Sequence, residues 1–314
     1  MRVPRYPPGL QGCHLRRGIT ERIFTPQLST SKGTKTSGSK RRLTRIRLEH
    51  LRISPGMNLE LQGKSALVTG STAGIGLAIA TALAKEGAAV IVNGRTQERV
   101  DKAVRASGAA HGIAADLGTE GGALAVIARF PAVDILVNNL GIFEPKPFEQ
   151  IPDDDWKRFF EVNVLSGVRL SRHYIGPMKR NNWGRIVFIS SESALQIPVE
   201  MIHYGMTKTA QLAISRGLAE TTTGTSVTVN AVLPGPTESE GVMEFVDRLA
   251  SERGVDRRAL EQEFFQKARP SSILQRFTTP EEIAAVVTFV CSPLASAVNG
   301  AAVRADGGVI RSIA

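Results

Sequence analysis

Seven short apolar runs, near residues 65–69, 88–93, 110–115, 133–137, 185–190, 226–232 and 301–304, alternate with helical patterns along the chain. Strands separated by helices are joined by crossovers, so they line up in parallel, and a parallel sheet must be covered by helices on both faces. The expectation is one α/β domain over residues 57–314, a single doubly wound parallel sheet. Ligands bind such sheets beyond the carboxyl ends of the strands, so residues that follow each strand are the ones to inspect. The chain has no internal repeat and no run of about eighteen apolar residues that would span a membrane.

The first strand leads into Thr69-Gly70-Ser71-Thr72-Ala73-Gly74-Ile75-Gly76, and a helical pattern follows (Ile75, Ala78, Ile79, Ala82, Leu83). A glycine turn between strand and helix points free backbone amides at whatever occupies the turn, which makes a phosphate site. The spacing of Gly70, Gly74 and Gly76 differs from the common G-x-G-x-x-G dinucleotide fingerprint. A glycine-rich turn of this kind also occurs with no ligand.

Far downstream, Tyr204 precedes Lys208 by four residues, a spacing that puts both on one helix face. A cation near a phenol favours the phenolate, which suits tyrosine for proton transfer near neutrality. The other tyrosines, Tyr6 and Tyr174, have no lysine at that offset. Surface Tyr/Lys pairs are nevertheless common, so the spacing needs company.

Together the two motifs resemble the short-chain dehydrogenase/reductase family, and the resemblance runs from about Leu59 to Ile310. Further landmarks occur in order: Asp116-Leu117, Asn138-Asn139-Leu140-Gly141, Asn163, Ser191 thirteen residues before Tyr204, Asn230 to Gly235, and Asp306-Gly307-Gly308. The resemblance implies a Rossmann-type sheet and a nicotinamide cofactor. It implies that Tyr204 exchanges a proton with the substrate oxygen and that Lys208 lowers the phenol pKa and holds the nicotinamide ribose. By the same resemblance Ser191 hydrogen-bonds the substrate oxygen, and Asn163 holds a water that links Lys208 to solvent. Cofactor contacts are implied for Gly70, Ser71, Thr72, Gly74, Ile75, Gly76, Arg95, Asp116, Leu117, Asn139, Gly141, Tyr204, Lys208, Pro234, Gly235 and Thr237. Leu140 stands where the family usually has alanine and Ala194 where many members have glycine, changes that bear on substrate geometry.

Cofactor choice is read after the second strand, at Asn93-Gly94-Arg95-Thr96. A carboxylate there would bind the ribose 2′-hydroxyl of NAD, and an arginine would welcome a 2′-phosphate. Gly94 fills the usual acidic position and Arg95 follows, with Asn93 and Thr96 as neutral donors. The expectation is NADP(H), with NAD(H) the alternative. Arg95 could instead cap a solvated loop.

Residues 237–276 interrupt the alternation. Val242, Phe245, Val246 and Leu249 make one helix face, and a second helical run holds Leu260, Phe264 and Phe265. The resemblance implies a lid over the substrate. From Glu240 to Arg269 seven acidic and six basic residues nearly balance, which argues against a strongly charged substrate. The commonest reading of such a chain is a 3-oxoacyl-carrier-protein reductase, a kind that it resembles and that meets its acidic carrier with arginines near the site mouth. Asn182 and Thr225 hold the matching positions, with Lys179, Arg180 and Arg185 nearby as possible substitutes. The reading is an NADP(H)-dependent oxidoreductase of a secondary alcohol and its ketone, a small-molecule substrate. The alternatives are the carrier-protein reductase and a non-catalytic cofactor-binding sensor or scaffold. A homo-oligomer, tetramer or dimer, is implied by the resemblance alone.

Residues 1–56 hold thirteen Lys/Arg against two Asp/Glu, net +11, while the whole chain is +10, so the remainder carries −1. The high pI of about 10 therefore belongs to this segment. Its Ser, Thr, Pro and Gly content and lack of periodicity read as disorder in isolation. It could be a transit peptide directing organellar import, a basic arm for nucleic acid or anionic membrane, or untranslated sequence ahead of a start at Met57. The last is preferred, because Met57 leaves 258 residues, a usual size for the family. A cytoplasmic protein with no nucleic-acid or membrane partner for its core is the expectation. Cys13 and Cys291 sit in unlike contexts, and neither they nor the five histidines show metal-ligand spacing. His203, beside Tyr204, reads as a solvated helix residue or a residue of the site mouth.

Overall fold

The computed structural model describes residues 58–313, and the readings of the basic segment, including Cys13, lie outside the described residues. Seven parallel strands form one sheet: β1 (Ser65–Val68), β2 (Ala89–Gly94), β3 (His111–Ala114), β4 (Ile135–Asn138), β5 (Gly184–Ile189), β6 (Val227–Pro234) and β7 (Ala302–Ala305), in the order β3-β2-β1-β4-β5-β6-β7. This is the doubly wound, Rossmann-type arrangement expected.

Successive residues of a strand face opposite sides, and here each side has its own apolar cluster. Ala66 and Val68 of β1, Val90 and Val92 of β2, and Ile135 and Val137 of β4 pack with α1 (Gly74–Lys85) and α9 (Pro280–Cys291). Leu67, Ile91 and Leu136 point the other way, with α3 (Glu120–Arg129), α5 (Ser166–Arg180) and α6 (Ile202–Glu220). Because both faces are covered, the strands read as near-continuous apolar runs. Each fully buried Leu, Ile or Phe stabilises the fold by roughly 1.5–3 kcal/mol. Leu67, Leu83, Leu136 and Phe188 are in this class.

The register aligns the carboxyl ends. Val68 of β1 pairs with Val92 of β2 and Val137 of β4, and Phe188 of β5 pairs with Asn138 of β4 and Ala231 of β6. Loops that follow these strands therefore emerge along one edge. The remaining helices are α2 (Gln97–Ser107), α4 (Asp153–Phe160), α7 (Glu240–Arg253) and α8 (Arg257–Lys267). The last two form the insertion between β6 and α9. Val246 is buried and Val242 and Leu249 half-buried, while the Phe245 side chain lies outside the described residues. In α8, Leu260 and Phe265 are buried, and Phe264 and Phe265 pack on Phe277 with ring centroids 5.3 and 5.2 Å away. Cys291 is fully buried in α9, and burial pushes its thiol up to about 12.

Among the described residues no helix is long and apolar enough to cross a membrane, and no group of three or more His, Cys, Asp or Glu is placed to hold a metal ion.

Candidate active site

Strand order reverses between β1 and β4, and a crevice for ligands opens beyond the strand ends at such a point. On the β1 side the chain turns at Gly70 and Gly74, with φ of +59° and +53°, a conformation glycine adopts without a Cβ penalty. No side chain caps α1 and its first turn has no acidic residue. Its amino end thus keeps its partial positive charge for an anion. Gly76 is required by closeness: a Cβ there would lie 2.5 Å from Asn139 Nδ2 and 2.6 Å from the Gly70 carbonyl oxygen. Asn139 braces the turn, its Nδ2 donating to the carbonyls of Thr69 (2.9 Å) and Gly70 (3.0 Å). Ser71 is fully buried, its hydroxyl donating to the Val68 carbonyl (2.7 Å) and accepting from the Asn93 amide (3.0 Å). It shapes the turn from within. Thr72 and Ile75 are half-buried.

Asn93, expected as a donor to a ligand, is committed to the protein. Its Oδ1 accepts from the Gly70 amide (3.2 Å), and its Nδ2 donates to the carbonyls of Ala115 (3.0 Å) and Ile113 (3.3 Å). Gly94 has no room for a side chain, since a Cβ would lie 2.3 Å from Thr72 Cγ2. Arg95 and Thr96 are exposed. Asp116 is exposed and accepts from the Gly118 amide (3.0 Å), with Leu117 buried beside it. Across the crevice, Gly235 donates its amide to Ala305 (3.1 Å), Pro234 is buried, and the hydroxyls of Thr237 and Thr278 share a hydrogen bond of 2.9 Å.

Ser191, Tyr204, Lys208 and Asn163 converge from three elements. Ser191 follows β5 and caps a single 3-10 turn (Glu192–Ala194), accepting from the Ser193 amide (3.1 Å). Tyr204 and Lys208 occupy the first turns of α6, with Lys208 Nζ 5.5 Å from the Tyr204 ring centroid. Asn163 lies in a π-helical turn (Glu161–Leu165) between α4 and α5, a distortion frequent at functional sites. Its side chain bonds Ile142 through both Oδ1 (2.8 Å) and Nδ2 (3.0 Å) and donates to Thr207 Oγ1 (3.0 Å). Gly141 faces this group: a Cβ there would lie 3.5 Å from both Lys208 Nζ and Asn163 Oδ1.

The electrostatics differ from the sequence expectation. Lys208 Nζ is buried, donating to the Ile189 carbonyl (2.9 Å) and Gln211 Oε1 (3.4 Å), and burial pulls its pKa down to about 8. The Tyr204 phenol is pushed up rather than down. Burial is the main cause and the charge of Glu192 adds to it, while a Ser191 hydrogen bond and the Arg269 charge oppose it. An ammonium turned toward a carbonyl and an amide does not lower the phenol as the bare Tyr-x-x-x-Lys spacing suggests.

The Lys208 shift makes a prediction. An unfolded lysine titrates near 10.4, so between pH 8 and about 10.4 the unfolded chain holds a proton that the folded one has released. Lys208 alone thus adds stability as pH rises across that window, by up to about 3 kcal/mol, while Cys291, whose thiol is held protonated by burial, takes stability away above about 8.5. Chemical denaturation of the protein and of Lys208→Met at several pH values checks this. Cys291 acts on both curves alike, so the stability difference is expected to grow in favour of the unaltered protein from pH 8 to about 10.4; parallel curves would refute the assignment.

A short chain dehydrogenase family model matches residues 64–250. The chain belongs to this family. YvaG of Bacillus subtilis, an uncharacterized oxidoreductase, is 54% identical over 263 residues, covering 82% of this chain and all of that protein. The 3-oxoacyl-[acyl-carrier-protein] reductase FabG of Aquifex aeolicus is 35% identical and covers 81% of this chain and all of its own. Among solved structures, L-sorbose reductase from Gluconobacter frateurii, complexed with NADPH and L-sorbose, is 30% identical with a TM-score of 0.77, covering 82% of this chain and all of that one.

Within this short-chain dehydrogenase several details depart from the sequence reading. Gln211 links Lys208 to the Asn163 main chain, its Nε2 donating to the Asn163 carbonyl (2.5 Å). A side-chain amide that the sequence reading did not single out thus bonds the Asn163 carbonyl directly. His203 is neither solvated nor at a site mouth: it is fully buried against Phe159 and Trp156, with ring centroids 4.0 and 6.0 Å apart. Arg185 cannot meet a carrier protein. It is buried, its guanidinium donating to the carbonyls of Gly184, Ser226 and Ser292. Leu140 packs on Gly70, and Ala194 is buried with its carbonyl accepting from Thr209. Sequence reasoning missed Glu192 and Arg269, a buried ion pair beside Ser191. The available signal was a lone acid directly after a strand-end serine.

Proposed function

We propose that this protein is an NADP(H)-dependent oxidoreductase that interconverts a secondary alcohol and its ketone. The observation that carries the reading is one cluster: Ser191 and Tyr204 beside buried Lys208, on the same sheet edge as an uncapped helix amino end. The residues present fit a dinucleotide. Gly76 and Gly94 are buried and let the turn close tightly on Asn139 and Thr72, and Gly141 is exposed beside Lys208 and Asn163. Gly70, Thr72, Gly74, Ile75 and Gly76 would hold the pyrophosphate, Asp116 and Leu117 the adenine, and Asn139, Gly141, Pro234, Gly235 and Thr237 the nicotinamide half. The nicotinamide, when bound, supplies or accepts the hydride.

The chain's own residues handle the proton and the charge. Tyr204 donates its hydroxyl proton to the carbonyl oxygen in reduction and takes it back in oxidation. Ser191 steadies the oxygen as charge develops on it. Lys208 holds a cation below the reacting centre, and its depressed pKa lets it release and regain a proton near neutrality. Residues 237–276 act as a lid that excludes water. Assembly as a tetramer or dimer in the cytoplasm belongs to the same reading.

Preference for NADP(H) rests on exposed Arg95 with no side chain at Gly94, and on the NADPH complex of the sorbose reductase. Oxidation of NADPH and of NADH is to be followed against ketones, aldehydes, sugars and acyl thioesters. NADPH is expected to give the higher kcat/KM, and Arg95→Ala to cost about tenfold with NADPH while leaving NADH nearly unchanged. Equal use of both cofactors by the unaltered protein would sink the preference. FabG similarity favours a carrier-protein substrate as a second reading, weakened by the burial of Arg185. Turnover of the thioesters alone would reverse that order.

A further inference from the structure

Two charged side chains at the site have no part in the scheme above. Glu192 and Arg269 are both buried, 5% and 7% exposed. Glu192 directly follows Ser191; Arg269 comes from the stretch after α8, in the insertion between β6 and α9. Arg269 Nε donates to Glu192 Oε1 (3.0 Å), and Nη1 donates to Glu200 Oε1 (3.2 Å) and to the Ala268 carbonyl (2.9 Å). The other carboxylate oxygen, Glu192 Oε2, accepts the Ser191 hydroxyl at 2.5 Å. A hydrogen bond to an ionised carboxylate is short and about twice as strong as a neutral one.

A serine hydroxyl carries one proton. While Ser191 gives it to Glu192, that proton is withheld from a substrate oxygen and from the Tyr204 phenolate. Arg269 draws charge from the same carboxylate and so limits how firmly it keeps the proton. A buried carboxylate left without its cation would be strongly disfavoured, which accounts for the pairing but not for its location at the reacting serine.

We infer that Glu192 and Arg269 are positioning residues for catalysis, with Glu192 holding the Ser191 proton in competition with the substrate oxygen and Arg269 setting the strength of that hold. The inference rests on the proposed role of Tyr204 and Ser191. The insertion between β6 and α9 thereby reaches the reacting centre through one guanidinium. The charges that act on the Tyr204 phenol are those of Glu192 and Arg269; Lys208 Nζ faces the ring 5.5 Å from its centroid, and the Phe143 ring, 6.4 Å away, is an uncharged neighbour. Glu192 opposes the phenolate and Arg269 supports it, so removing each must act with opposite sign.

The test is the pH profile of kcat/KM for alcohol oxidation, which reports the group that must lose its proton. Glu192→Gln is expected to move the limb that depends on Tyr204 to lower pH, and Arg269→Leu to move it higher. The double variant should return toward the unaltered profile and Arg269→Lys should stay near it. In a Ser191→Ala background the shift caused by Glu192→Gln should shrink to about half or less, since part of it passes through the serine proton. NADPH affinity, read by fluorescence, separates loss of folding from loss of positioning. If Arg269→Leu does not fold, Glu192→Gln, Arg269→Lys and the serine background still decide. Shifts of one sign, no shift, or a shift undiminished in Ser191→Ala would overturn the inference. Turnover that is absent altogether, or insensitive to Tyr204→Phe, would overturn the functional reading and this inference with it. Turnover that needs Tyr204 but ignores Glu192 would overturn this inference alone.

Discussion

Replacing Tyr204 with phenylalanine is expected to lower kcat by about 10³-fold, within the 10²–10⁴ range that general acid–base groups supply, while NADPH still binds. The phenol is half-buried at the head of α6 with Lys208 one turn on. The variant keeps the ring and its edge-on contact with Phe143, so the fold is expected to lose little and the reaction to lose the proton donor proposed above. Steady-state turnover together with cofactor binding separates these outcomes. A variant that retained more than about a tenth of the activity would exclude Tyr204 as the acid–base group, because among the described residues the two serines that follow β5 have their protons committed elsewhere. Ser191 has its proton on Glu192, and Ser190 donates to the Lys208 carbonyl (2.9 Å).

The second large effect is expected at Gly76. A methyl group there meets Asn139 Nδ2 and the Gly70 carbonyl at 2.5 and 2.6 Å, closer than atoms tolerate. Both neighbours are fixed, one by the tight glycine turn and one by its two hydrogen bonds. Gly76→Ala must lift α1 away from the turn. The expected cost is about 1–3 kcal/mol of stability and at least about tenfold in affinity for NADPH, because the amides of the helix end no longer converge. Thermal melting and a fluorescence titration read the two losses separately. An unchanged dissociation constant would mean that the helix end does not hold the phosphates.

The strands were legible because both faces of the sheet are covered: runs such as Ala66-Leu67-Val68 must be apolar at every position. The site was legible where its parts are local in sequence, as in the glycine turn and the Tyr204–Lys208 pair. It was opaque where a contact spans the chain. Arg269 meets Glu192 across 77 residues, and either alone looks like a surface charge. His203 looked solvated because its burial is created by Phe159 and Trp156 of α4. Asn93 looked free because its partners are backbone groups of the first glycine turn and of the segment from β3. Nothing in Glu161-Val162-Asn163-Val164-Leu165 distinguishes a π-turn from an ordinary helix, since the choice is made by what Asn163 must reach.

The crowding between positions 72 and 94 also constrains cofactor choice. An acidic side chain at 94 is the shortest route to a pocket that prefers an unphosphorylated ribose, and the Thr72 methyl stands where its first carbon would go. A side chain at 94 therefore requires the one at 72 to move or shrink. Under the NADP(H) reading proposed above, a change of preference made through an acidic residue at 94 is expected to need a smaller or re-oriented side chain at 72.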